Sequence, residues 1–328
     1  MILDIVYLIV GLALILYGAN WLTDGSSAVA RRLGVSDLII GLTVVALGTS
    51  TPELVITIVS AIGGNAPLAV GNIVGSNIFN ILVIIGLVAV ISPIRIERSV
   101  MTTEIPLVVL SALILLVMAN SQLLDGATDR VISHTDGLIL LVFFILFMRH
   151  TFMSAHIEPQ PELDPSAERP SKTKEMGMWR AVVMILAGLG ALIVGGDRFV
   201  AGASAIASMM GVSDAVIGLT IVAIGTSLPE LATSIVAARK GAGGLAIGNV
   251  IGSCVMNIFL ILGVGATITP LALGGVTQVD LLTMTAASAL FWWTARFGGA
   301  RVINRAEGAI MLVIYAAYTA WLIATATV

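Results

Sequence analysis

The chain has 328 residues, of which 58% are hydrophobic and only 11% charged, and its mean hydropathy is +1.07. A soluble domain carries about a quarter charged residues to keep its surface in water, so this composition excludes one and requires lipid around most of the chain. The net charge of −3 sits in short loops without a basic run for nucleic acid, and a single cysteine, Cys254, excludes an intrachain disulfide.

A hydrocarbon core about 30 Å thick needs roughly 20 apolar residues of helix. That window predicts about ten spans, near 4–23, 36–61, 67–91, 101–119, 132–149, 180–200, 212–238, 244–269, 277–295 and 307–326. The N-terminus lacks a basic leader and a small-residue cleavage site, so residues 1–22 read as a retained first span. The only long hydrophilic stretch, 150–179, holds Pro159, Pro161, Pro165 and Pro170 among charged residues and reads as a flexible linker. It divides the chain into 1–149 and 180–328, with five spans predicted in each. With the N-terminus outside the cytoplasm, 14 of the 16 Lys and Arg residues fall in cytoplasmic loops, and only Arg130 and Arg198 fall outside. That asymmetry predicts both termini outside and the linker within.

The two halves share a repeat. Residues 35–53, from Val35-Ser36-Asp37 to Gly48-Thr49-Ser50-Thr51-Pro52-Glu53, recur at 212–230 with 14 of 19 positions identical. The same offset of 177 aligns Gly71-Asn72-Ile73-Val74-Gly75-Ser76-Asn77-Ile78-Phe79-Asn80 with Gly248-Asn249-Val250-Ile251-Gly252-Ser253-Cys254-Val255-Met256-Asn257. Nine of those fourteen identities, and all five in the second motif, are polar, Gly or Pro, which lipid does not select, so chance similarity of apolar segments does not explain them. The repeats extend over roughly 35–91 and 212–269. An odd number of spans per half predicts that the second half enters the membrane in the opposite sense, as in transporters whose site lies between inverted repeats near midplane.

Glu53 and Glu230 fall inside predicted spans, where a bare carboxylate costs roughly 3 kcal/mol and survives beside a partner or a wet cavity. No basic residue is predicted in a span interior to pair with them. Pro52 and Pro229 precede them, lack an N–H and clash with the carbonyls of Gly48 and Gly225, so each helix is expected to break there and free backbone oxygens. Thr49 and Ser50 lie on the face of Glu53, and Thr226 and Ser227 on that of Glu230. Their alternative is to bond back to their own helix. Asn72, Ser76 and Asn80 are spaced by four along one face, as are Asn249, Ser253 and Asn257; Asn72 and Asn249 read equally as helix glue. Gly71 with Gly75, and Gly248 with Gly252, predict close helix approach. Together these are hard oxygen donors of the kind calcium and sodium take. All three histidines, at 134, 150 and 156, fall in loops or span ends, which argues against zinc or copper. Asp37 and Asp214 read as helix-start residues, Asp24 and Asp197 as surface or vestibule charges, and Cys254 as packing.

At these residues the chain resembles the calcium/cation antiporter superfamily, in its compact prokaryotic sodium/calcium exchanger form. The resemblance rests on two repeats carrying G-T-S-x-P-E on one helix and G-N-x-x-G-S-N-x-x-N/D on the next. It implies an all-α membrane fold of ten transmembrane helices in two inverted five-helix repeats, with four ion subsites at its centre. The implied ligands are Glu53, Glu230, Thr49, Ser50, Thr226, Ser227, Ser76, Asn80, Ser253 and Asn257, with the carbonyls of Ala46 and Ala223. It also implies that the first and sixth spans slide to alternate access. The sequence departs from the pattern at Asn257, where several exchangers carry Asp, so two carboxylates are present rather than three.

The expected function is antiport of Na⁺ against Ca²⁺, with these ions and the lipid bilayer as partners and no cofactor, nucleotide or nucleic acid. A proton/calcium exchanger is the alternative, since the two glutamates could carry protons. An intramembrane enzyme is the remote one, because no His-Glu-x-x-His pattern is present, and the lack of a phosphate loop excludes an ATP-driven pump. The compact length points to a prokaryotic inner membrane.

Overall fold

A computed structural model describes residues 2–122, 126, 130–154, 176–209, 223–297 and 301–326. The linker core at 155–175 and the stretch 210–222, which contains Asp214, lie outside the described residues. Helices dominate, as their Leu, Ile, Val and Ala content in a lipid setting requires: every backbone N–H must find a partner within its own segment. In chain order they are α1 (Ile2–Leu33), α2 (Asp37–Thr49), α3 (Thr51–Ile62), α4 (Ala66–Ile91), α5 (Val100–Met118) and α6 (His134–Ser154). After the linker come α7 (Met178–Met209), α8 (Ala223–Thr226), α9 (Leu228–Arg239), α10 (Gly243–Ile268), α11 (Gln278–Phe297) and α12 (Arg305–Ala326). Seven described helices are long and apolar enough to cross a membrane, or eight if the bent pair α2–α3 counts as one span.

Two of the predicted spans are too short. Both α1 and α7 run for 32 residues, against the 20 or so expected. At 1.5 Å per residue each is about 48 Å long, well beyond the hydrocarbon thickness, so each must tilt. Hydropathy misses the extra turns because their residues, such as Thr23, Asp24 and Ser26, are polar.

The two long helices lie antiparallel along stripes of glycine. Gly11, Gly18 and Gly25 repeat every seven residues on α1, and Gly188, Gly195 and Gly202 do so on α7, each 177 residues later. A Cβ on Gly18 would stand 2.8 Å from the Gly188 carbonyl oxygen, and one on Gly188 would stand 2.8 Å from that of Gly18. Only hydrogen fits there, so the backbones touch.

The core is built by α4 and α10, whose side chains are almost all buried. Around them α1, α6, α7 and α12 turn large apolar side chains outward, among them Leu3, Ile145, Leu186 and Val313. Four two-residue strands, which the all-helical expectation lacks, clip the halves together. Ile94–Arg95 (β1) pairs with Val302–Ile303 (β4), and Val131–Ile132 (β2) with Leu271–Ala272 (β3), both antiparallel.

Candidate cation site

The breaks fall where the prolines place them. Helix α2 ends at Thr49, α3 starts at Thr51, and the two are bent by 45°. Ser50 sits at the corner with φ −84° and ψ 10°, and Pro52 occupies the first turn of α3, where its missing N–H costs nothing. Ser227 repeats the corner between α8 and α9, at φ −92° and ψ 6°. Glu53 and Glu230 thereby lie in the first turns of their half-helices. The partial positive charge of a helix N-terminus favours a carboxylate there.

The halves cross-bond at this point. Ser50 Oγ donates to Glu230 Oε1 at 2.9 Å and also lies 2.9 Å from Ser253 Oγ. Ser253 Oγ, 3.5 Å from the same carboxylate oxygen, closes a triangle. Its counterpart joins Ser227 Oγ to Glu53 Oε1 at 3.4 Å and to Ser76 Oγ at 3.2 Å, with Ser76 Oγ 3.3 Å from Glu53 Oε1. Each carboxylate is thus held by a serine from the opposite half and one from its own.

The threonines turn to the asparagines. Thr49 Oγ1 donates to Asn249 Oδ1 at 3.0 Å, and Thr226 Oγ1 to Asn72 Oδ1 at 3.4 Å. Asn249 in turn donates to the Glu230 carbonyl at 3.3 Å and to Ser234 Oγ at 3.0 Å. Asn257 Nδ2 donates to Asn77 Oδ1 at 3.3 Å. Asn80 and Asn257 each begin a widened turn of π-helix, at Asn80–Ile85 and Asn257–Leu262. Such turns loosen the ladder and re-aim a side chain at functional sites.

What remains is acceptor capacity. Glu53 Oε2, Glu230 Oε2, Asn80 Oδ1 and Asn257 Oδ1 are buried and have no hydrogen-bond partner among the described residues. Each unmade bond costs about 1–3 kcal/mol, a cost that a bound cation would relieve. No described group of three or more His, Cys, Asp or Glu could form a metal cage. The donor set is instead two carboxylates with hydroxyl and amide oxygens, suited to a hard cation that sheds its water gradually.

Of the twelve residues expected here, Glu53, Ser76 and Ser227 form one cluster, and Glu230, Ser50 and Ser253 the other. Asn80 and Asn257 contribute the free oxygens, and Thr49 and Thr226 are tied to asparagines. The Ala46 carbonyl accepts the Ser50 N–H at 3.0 Å, and Ala223 is the first described residue of α8. Asn77 and Ser234 escaped sequence reasoning. Asn77 stands inside the repeated motif, but its repeat mate is Cys254, so comparing the halves hides it. Gly248 and Gly252 do lie against α2, with Cβ positions 2.4 Å from Leu38 O and 2.6 Å from Ala46 Cβ. Their mates show no such approach among the described residues: a Cβ on Gly71 would meet only Val276 Cγ2, at 3.8 Å, and one on Gly75 nothing within 4 Å.

Known proteins resemble this chain in sequence and fold. The profile of the family described as sodium/calcium exchanger protein matches residues 3–153 and 180–324. CaxA of Alkalimonas amylolytica, which bears an antiporter name, is 38% identical over 323 residues, covering 97% of this chain and 98% of its own. The sodium/calcium exchanger MaX1 of Methanosarcina acetivorans is 31% identical over 336 residues, covering 95% and 96%. A solved structure of the sodium-calcium exchanger NCX_Mj superposes with a TM-score of 0.82 at 33% identity, covering 98% of both chains. Family match, relatives and fold agree: the chain belongs to the sodium/calcium exchanger family of membrane transporters.

Proposed function

We propose that this protein is a secondary antiporter that exchanges Na⁺ for Ca²⁺ by alternating access at the Glu53–Glu230 site. The observation that carries the reading is the set of four buried, unpartnered oxygens, two carboxylate and two amide, between the cross-bonded halves. Calcium or sodium binds by taking these oxygens and the hydroxyls of Ser50, Ser76, Ser227 and Ser253 away from their mutual hydrogen bonds. Thr49, Thr226 and the Ala46 and Ala223 carbonyls complete the ligand set. One Ca²⁺ or two Na⁺ match the charge of two carboxylates, and a filled site is the state that can switch, because an uncompensated buried charge is costly.

The same reading takes the chain as ten spans in two inverted repeats. Support comes from paired features 177 residues apart: the breaks at Ser50 and Ser227, the two π-turns, the reciprocal glycines of α1 and α7, and strands β1 and β3. The termini lie outside the cytoplasm and the linker within it, in a prokaryotic inner membrane.

The test is ⁴⁵Ca²⁺ uptake into proteoliposomes preloaded with Na⁺, against vesicles loaded with choline at the same pH. Uptake that needs internal Na⁺ is expected. Uptake that ignores Na⁺ and follows an imposed pH gradient would replace sodium by protons as the coupling ion.

A further inference from the structure

We infer that Asn77 is a positioning residue for cation binding: with Met284 behind it, it fixes the sense of the Asn257 amide so that the carbonyl oxygen, and not the NH₂ group, is presented to the cation. The inference rests on the antiport reading above. A side-chain amide is two-faced. Its oxygen can coordinate a cation, whereas its NH₂ group carries only donors and repels one. Packing does not choose between them, because a half-turn of the amide leaves its shape almost unchanged. A ligating asparagine therefore needs a neighbour that accepts from its nitrogen.

At Asn257 that neighbour comes from the opposite half. Asn257 Nδ2 donates to Asn77 Oδ1 at 3.3 Å, and Asn77 Nδ2 lies 3.9 Å from Met284 Sδ on α11. A thioether sulfur has no hydrogen to give. It accepts from the Asn77 nitrogen, which turns the Asn77 oxygen toward Asn257. Asn257 Oδ1 is then left buried and without a partner among the described residues. All three side chains are enclosed, Asn77 and Asn257 at 1% exposure and Met284 at 0%. The other half lacks this relay. Asn80 is the repeat mate of Asn257, yet the mate of Asn77 is Cys254 and that of Met284 is Leu107. The Asn80 amide has the Cys254 thiol beside it, a weak acceptor. Duplication alone would give both amides the same support. The difference makes Asn257 a preset ligand and leaves the Asn80 amide freer to turn.

The experiment is equilibrium ⁴⁵Ca²⁺ binding to the solubilised protein, with Na⁺-dependent uptake into proteoliposomes beside it. Asn77→Leu removes the acceptor and should weaken binding by about tenfold, the lower end for losing a group that orients a metal ligand. Maximal uptake at saturating Ca²⁺ should be retained. Met284→Leu, which conserves volume, and Cys254→Ala, which removes the weaker support, should each weaken binding less. In an Asn257→Leu background Asn77→Leu should weaken binding no further, since it acts through that amide. Asn77→Cys, which copies the repeat mate, carries the same expectations at smaller size should Asn77→Leu fail to assemble. Unchanged affinity in whichever of these two assembles, a loss confined to maximal uptake, an equal loss with and without Asn257, or a larger loss in Cys254→Ala overturns the proposal. Wild type that binds Ca²⁺ without Na⁺-dependent flux would instead overturn the antiport reading, and wild type that binds none would overturn both.

Discussion

At the scale of single residues, the proposed site sets hydrogen bonds against coordination. Ser50 and Ser227 each cross to the opposite carboxylate, so neither half owns a complete site. Glu53→Gln or Glu230→Gln replaces a charged oxygen by an amide and leaves a cation half-compensated. Either change should reduce Na⁺-dependent ⁴⁵Ca²⁺ uptake by about a hundredfold or more, the scale of losing one partner of a buried charge pair. Substantial exchange in either variant would remove that residue from the site. The candidate carboxylates and serines were legible in sequence because a polar residue in an apolar span has few reasons to exist. Their partners were not: that Thr49 reaches Asn249, 200 residues away, follows only from the packing of α2 on α10. Glu104 shows the opposite failure. It stands near the start of a predicted span and drew no attention, yet the fold buries it and sets it 3.4 Å from His150.

Among the elements, the antiparallel pair α1–α7 makes the sharpest claim. Gly18→Ala should wedge the helices apart, because the new Cβ would meet Gly188 O at 2.8 Å and Leu192 N at 2.9 Å. Overpacking of this kind costs about 1–3 kcal/mol, so thermal unfolding in detergent should come at lower temperature. Gly190, on α7 itself, has nothing within 4 Å of its Cβ position. Gly190→Ala should therefore be neutral or stabilise by up to about 1 kcal/mol, since alanine is the better helix former. Equal behaviour of the two variants would dispose of the contact. The heptad of glycines was present in the sequence and readable, but the search for polar repeats passed over it. The π-turns at Asn80 and Asn257 were not readable, because a widened turn arises from packing and not from propensity.

For the whole molecule, the proposed ten spans would place both termini on one side, and the distribution of Lys and Arg would choose which. Reporter fusions at either end should therefore read as outside the cytoplasm, and a protease site inserted within 155–175 should be cut only from the cytoplasmic side. Termini found on opposite sides would break the ten-span reading. Strands β1–β4 and β2–β3 join segments more than 130 residues apart, and Arg130 ties the second junction by donating to the carbonyls of Ala119 and Val276 at 3.3 and 3.1 Å. The halves are thus fastened at their margins as well as at the site.

By itself the sequence determined the membrane setting, the duplication, the broken helices and the identity of the two carboxylates. All four follow from local chemistry, namely hydropathy, repeat identity, the missing proline N–H and the cost of charge in lipid. Only the tertiary structure decided that each carboxylate is held by the opposite half, and that α1 and α7 touch backbone to backbone. It alone decided which carboxylate and amide oxygens are left without a partner among the described residues. Those facts depend on which surfaces meet, and a one-dimensional pattern records what each residue needs without recording which neighbour supplies it.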